Sequence, residues 1–101
     1  MEQVERICHM ETILDQAERV LAQMRLALEQ YQELESPLNE LEDYYSNGQW
    51  RKDFQDDSEG KLPEHLKRGV LSEDGVWNML TERDSLLWQM EKILERTKND
   101  S

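Results

Sequence analysis

The chain has little of what punctuates or cross-links most folds: one cysteine, two prolines and four glycines in 101 residues. A single thiol, Cys8, makes no internal disulfide, so no cystine framework supports the fold and a reducing cytoplasm is the expected setting. No apolar run approaches the roughly 18 residues of a membrane helix. The opening "MEQVERICHMET" also lacks a cationic segment followed by an apolar one. Both absences argue against secretion and against spanning a membrane. Basic residues are scarce as well: 12 Lys and Arg stand against 23 Asp and Glu, a net charge of -11. That field repels the phosphates of DNA, RNA and anionic lipid, and leaves basic partners as the ones it favours. Hydrophobic residues make up only 37%, so a core forms only if they are well placed.

They are well placed. From Ile7 the apolar positions step by three and four: Ile7, Met10, Leu14, Ala17, Leu21, Met24, Leu28, Tyr31. A second series, Ile13, Val20, Ala27 and Leu34, widens the stripe, as in a helix that faces a multi-helix core rather than one narrow seam. The pattern predicts a long helix over 4–34, with no Gly or Pro before Pro37. Ser36 and Pro37 then suit a stop and a fresh N-terminus, giving a short helix over 37–46 that "SNG" closes. Residues 47–71 form a turn-rich segment in which "QWRKDFQDD" allows a short helix, with Trp50 and Phe54 one turn apart on one face.

Within "KLPEHLKRGVLSEDGV" local geometry accounts for most of the residues. Gly60 closes one segment, Pro63 begins a helical turn "PEHLKR", and Lys67 and Arg68 fall at its electronegative end. Gly69 is expected as a left-handed C-cap. Ser72 caps the next helix, and Leu71 before the cap pairs with Val76 after it as a hydrophobic staple. Gly75 is the odd residue, because Gly in a first helical turn costs up to about 1 kcal/mol relative to Ala. Close approach of another backbone, the "PEHLKR" turn, would explain it. The last helix is expected over 73–97, with Arg83 interrupting its apolar face.

The expected architecture is therefore a single all-α domain: a long N-terminal helix packed antiparallel against a C-terminal helix, with two or three short helices between. A helix over 4–34 is roughly 46 Å long, whereas a compact domain of this size is roughly 34 Å across. The overhang predicts a partner helix, most simply from a second copy in a homodimeric antiparallel bundle.

Chemistry finds little purchase in this sequence. Asp53, Asp57 and Glu64 occupy the first, fifth and twelfth places of a calcium loop, but Ser58 stands where the sharp turn needs Gly and Pro63 where the exiting helix should run. Cys8 and His9 point about 100° apart on a helix and make poor co-ligands, and no paired-Cys or Glu-x-x-His spacing occurs. No G-x-S-x-G elbow and no Gly-rich phosphate loop is present. No catalytic, cofactor-binding or metal-binding residue is assigned.

Residues 51–68 carry five basic and five acidic side chains, whereas residues 1–45 carry three basic and eleven acidic ones. A neutral, aromatic-bearing segment beside an acidic helix suits protein contact better than phosphate tracking. The expected interaction surface comprises Tyr44, Tyr45, Trp50, Phe54, His65 and Trp88. The leading expectation is a non-enzymatic, self-associating interaction module. The alternatives are an acidic inhibitor that imitates nucleic acid in a basic groove, and a small-molecule-binding protein or enzyme with a pocket lined by Tyr45, Arg83 or His65.

The stretch "LEDYYSNGQWRKDFQDDSEGKLPEHLKRGVLSEDGVWNML", Leu41 to Leu80, resembles the signature of the domain of unknown function 4298 family, small acidic bacterial proteins. The run from "YY" through W-x-x-D-F to "LPxxLKRGVLSED" carries the resemblance, and the flanking helices agree in pattern. The resemblance implies a bacterial, helical, cytosolic protein and supplies no catalytic residue.

Overall fold

The computed structural model describes residues 2–100, and the regular elements among them are all helical: α1 (Gln3–Ser46), α2 (Gln49–Ser58), a 3₁₀ turn (Gly69–Leu71) and α3 (Gly75–Asp100). The fold is all-α, as the periodicity requires. The chain divides into two compact units, the first ending at Leu41 and the second beginning at Glu42.

The first unit consists of α1 up to Leu41. Its apolar series lies on one side of the helix, and Ile7, Met10, Leu14, Leu21, Met24 and Leu28 are all exposed. The expected stop at Ser36 and Pro37 does not occur, because α1 continues through both residues to Ser46. Pro37 withdraws one N–H from the ladder and sets its ring against the carbonyl of Glu33, at a cost of about 3 kcal/mol. Leu38, the next residue, is one of three buried hydrophobic residues described. Keeping it buried is worth about 1.5–3 kcal/mol, which offsets the proline and holds the helical register.

The second unit folds around short connections. α1 stops at Ser46, where "SNG" predicts an end: Gly48 takes φ 94°, and the Asn47 side-chain oxygen accepts the Gln49 N–H at 3.1 Å. α2 follows at once, as its pattern allows. It closes in a Schellman arrangement at Gly60, whose φ is 73°. There Lys61 N–H bonds to the Asp56 carbonyl at 2.9 Å and Gly60 N–H to the Asp57 carbonyl at 3.0 Å.

The "PEHLKR" segment makes a single turn, with Leu66 N–H on the Pro63 carbonyl at 3.2 Å, and does not extend into a helix. Gly69 is not the left-handed cap expected of it, since only Gly48 and Gly60 have positive φ among the described residues. It opens the 3₁₀ turn instead, and its carbonyl accepts the Ser72 hydroxyl at 2.9 Å. The Ser72 oxygen in turn accepts the Gly75 N–H at 3.0 Å, which is the predicted cap. Leu71 and Val76, the staple residues, are 6% and 4% exposed and form the buried centre of this unit.

Gly75 is explained by close backbone approach, although the neighbour is Gly69 rather than the "PEHLKR" turn. A β-carbon at position 75 would lie 2.7 Å from the Gly69 carbonyl oxygen. Any other residue there requires the Gly69 carbonyl and the Ser72 hydroxyl to shift.

Candidate functional site

Four of the aromatic residues expected to make contacts outside the chain, Tyr44, Tyr45, Trp50 and Phe54, make contacts within the second unit. Trp50 stacks on Phe54 with ring centroids 5.1 Å apart and planes at 20°. The one-turn spacing on α2 makes that meeting possible. Tyr45, near the end of α1, meets Trp50 edge-on at 5.1 Å. The Trp50 indole N–H donates to the Val70 carbonyl at 2.7 Å, which ties α2 to the 3₁₀ turn. These three rings are half-buried, part of their surface committed to packing and part accessible to solvent.

Tyr44 also points into the unit. Its hydroxyl donates to Asp53 Oδ2 at 2.7 Å, linking the last turn of α1 to α2. Burial, then the hydrogen bond to Asp53, then that carboxylate's charge push the phenol up to about 12. The protonated form is the one the fold holds. Asp53 is thereby engaged, and Asp57, another place of the calcium-like loop, accepts Arg68 Nε at 2.5 Å. Among the described residues no group of three or more His, Cys, Asp or Glu is placed to hold a metal ion.

Arg68 does more than compensate a helix dipole. Its guanidinium donates to the carbonyls of Glu64 at 2.8 Å, Leu66 at 2.9 Å and Pro63, while also pairing with Asp57. One planar fork thus reaches three carbonyls of the turn, of which Pro63 also accepts the Leu66 N–H that closes it. Nothing in the periodicity singles out this residue; the signal is only an Arg closing a turn that has too few donors of its own.

Arg83, the cation on the inner face of α3, pairs with Glu42 at 2.7 Å and with Asp84 at 2.9 Å. The hydrogen bonds to Glu42 and then Asp84 push its guanidinium above its ordinary pKa. Its side chain is 22% exposed, so the head is held by carboxylates of the same chain rather than lying free in solvent. Glu42 is a partner that sequence reasoning did not name.

The remaining expected contact residues face outward. His65 is exposed on its turn. Trp88 is 59% exposed on α3, and Lys92 lies 5.5 Å from its ring centroid, one turn along. Cys8 is a free, exposed thiol near the start of α1. The structure therefore brings Tyr44, Tyr45, Trp50 and Phe54 together and leaves His65 and Trp88 outside that cluster. Further exposed apolar residues line α1, from Val4 to Leu34.

No helix among the described residues is long and apolar enough to cross a membrane. No curated protein and no solved structure matches the chain. Residues 7–93 match the family model described as "Domain of unknown function (DUF4298)", and the chain belongs to that family.

Proposed function

We propose that this protein is a non-enzymatic helical interaction module that associates with copies of itself. The observation that carries the reading is the stripe on α1, where Ile7, Met10, Leu14, Leu21, Met24 and Leu28 keep 45–59% of their surface accessible. A series of that length at heptad spacing buries little by itself, and a second helix laid along it removes its apolar surface from water. α3 carries its own exposed series, Leu86, Leu87, Met90, Ile93 and Leu94. The antiparallel packing expected between the first and last helices belongs to the same proposal, as the arrangement that covers both series in the assembled protein.

In this reading the cluster of Tyr44, Tyr45, Trp50 and Phe54 shapes one end of the contact surface, and Trp88 and His65 offer further contacts. Light scattering and sedimentation over a concentration series test it directly. A dimer or higher assembly that dissociates on dilution is expected; a monomer persisting at high micromolar concentration sinks the proposal. Alanine at Trp50 and Phe54 tests the aromatic end. If those variants lose stability and keep every association, the cluster is internal packing only.

A second reading, an acidic mimic of nucleic acid that fills a basic groove, is supported by the charge of residues 1–45, with eleven acidic and three basic side chains. Capture of a basic partner that weakens steeply with salt favours it, and capture indifferent to salt counts against it.

A further inference from the structure

The positions that flank the seam of α1 are chemically segregated. With Ile7, Leu14, Leu21 and Leu28 as heptad a and Met10, Ala17, Met24 and Tyr31 as d, the g positions are Ile13, Val20, Ala27 and Leu34. The e positions are Glu11, Glu18, Arg25 and Gln32. In a parallel pair each g residue faces an e residue of its neighbour, which sets Ile13, Val20 and Ala27 against Glu18, Arg25 and Gln32. In an antiparallel pair g faces g and e faces e. Apolar then meets apolar on one flank and polar meets polar on the other, so only this orientation removes the g side chains from water without burying charge.

Resting on the self-association reading, we propose that a second copy of this chain docks antiparallel along α1 between Ile7 and Tyr31. The register that uses every seam position sets Ile7 opposite Tyr31 of the partner subunit and Met10 opposite Leu28 of the partner subunit. It sets Leu14 opposite the partner's Met24 and Ala17 opposite the partner's Leu21. Glu11 then lies beside the partner's Arg25, twice by symmetry, and Glu18 beside the partner's Glu18 at the two-fold axis. All of these residues lie in the unit that ends at Leu41, and all are exposed except the half-buried Tyr31.

Sliding the pair by one heptad removes the like-charge contact at Glu18 and replaces the two attractions between Glu11 and Arg25 with two between Glu18 and Arg25. It also moves Ile7 and Met10 of each chain from Tyr31 and Leu28 of the partner subunit to the partner's Leu38, which is already buried within its own chain, and the partner's Glu35. Burying those whole side chains outweighs the relief of one solvated like-charge pair, so the full register is the stable one.

Cys8 is the only thiol and is exposed, so a nitroxide attached to it reports the orientation in the intact protein by pulsed electron spin resonance. The proposed register separates the two Cys8 positions by roughly 33 Å along the axis. The slid register separates them by roughly 44 Å, and a parallel pair holds them within about 20 Å, two helix diameters. A distance near the first value in a protein that sediments as a dimer supports the proposal. Either other distance in a dimer overturns it while self-association stands, and a monomer at every concentration overturns both. Glu18→Gln supplies an independent check: relief of the contact at the two-fold axis strengthens association about two- to fivefold. Weakened association on that substitution belongs to the slid register and overturns the one proposed.

Discussion

Gly75 and Gly69 meet backbone to backbone: a methyl group at position 75 would lie 2.7 Å from the Gly69 carbonyl oxygen and would collide with the Ser72 hydroxyl that caps α3. In an ordinary helix, replacing Gly with Ala stabilises by up to about 1 kcal/mol. Here the carbonyl belongs to a 3₁₀ turn already held by Ser72, so it yields only at the expense of the cap. Gly75→Ala is expected to destabilise by about 1–3 kcal/mol, seen as a lower midpoint in thermal or urea unfolding. A raised midpoint would show that the turn moves aside freely.

Arg68 closes the loop between α2 and the 3₁₀ turn through three carbonyls and Asp57. Lysine keeps the charge and loses the planar fork. Arg68→Lys should cost about 1.5–3 kcal/mol, the range for hydrogen bonds to charged groups. Amide exchange over residues 61–71 should quicken more than exchange in α3. Unaltered protection of that loop would mean that the guanidinium is not what orders it.

Pro37 sits inside α1 rather than at a helix start. Restoring the missing N–H should therefore help: Pro37→Ala is expected to stabilise by about 1–3 kcal/mol, up to the full interior cost of proline. If the chain instead restarted a helix at that residue, where proline is well tolerated, the substitution would change stability little. Denaturant unfolding followed by circular dichroism separates the two outcomes.

The Tyr44 phenol is raised from its ordinary value of 10.0 to about 12, by burial first and then by its bond to Asp53. The protonated phenol is the form that folding favours. Its contribution is fully present below about pH 10, the value in the unfolded chain, and is lost as pH rises through about 12. Stability of the native protein should fall across that window, and Tyr44→Phe should flatten the fall. Absorbance titration near 295 nm should show one late-titrating phenol that disappears in the variant. A phenol titrating at its ordinary value would refute the hydrogen bond to Asp53.

Much of this was legible in residue order because the interactions are local. The stripe from Ile7 to Tyr31, the stop at "SNG", the turn at Gly60, the Ser72 cap and the burial of Leu71 and Val76 on either side of it depend on neighbours within one or two turns, where spacing alone dictates who can meet. Trp50 and Phe54 share a face for the same reason. Arg83 with Glu42 and Trp50 with Val70 were not legible, since their partners lie far along the chain and no periodicity links them. The role of Arg68 was missed because its acceptors are backbone carbonyls, which sequence does not distinguish.

By itself, then, the sequence determined that the chain is helical, where most turns fall, and which face of the first helix is apolar. Helical periodicity and capping depend on neighbours a few residues apart. Tertiary structure decided three other matters. It carried α1 through Pro37 where Leu38 is buried, turned Gly69 into the start of a 3₁₀ turn against Gly75, packed the half-buried rings of Tyr45, Trp50 and Phe54 together and bonded Tyr44 to Asp53. Each outcome rests on burial or close contact with a surface that exists only once the chain has folded, and there local preference was overruled.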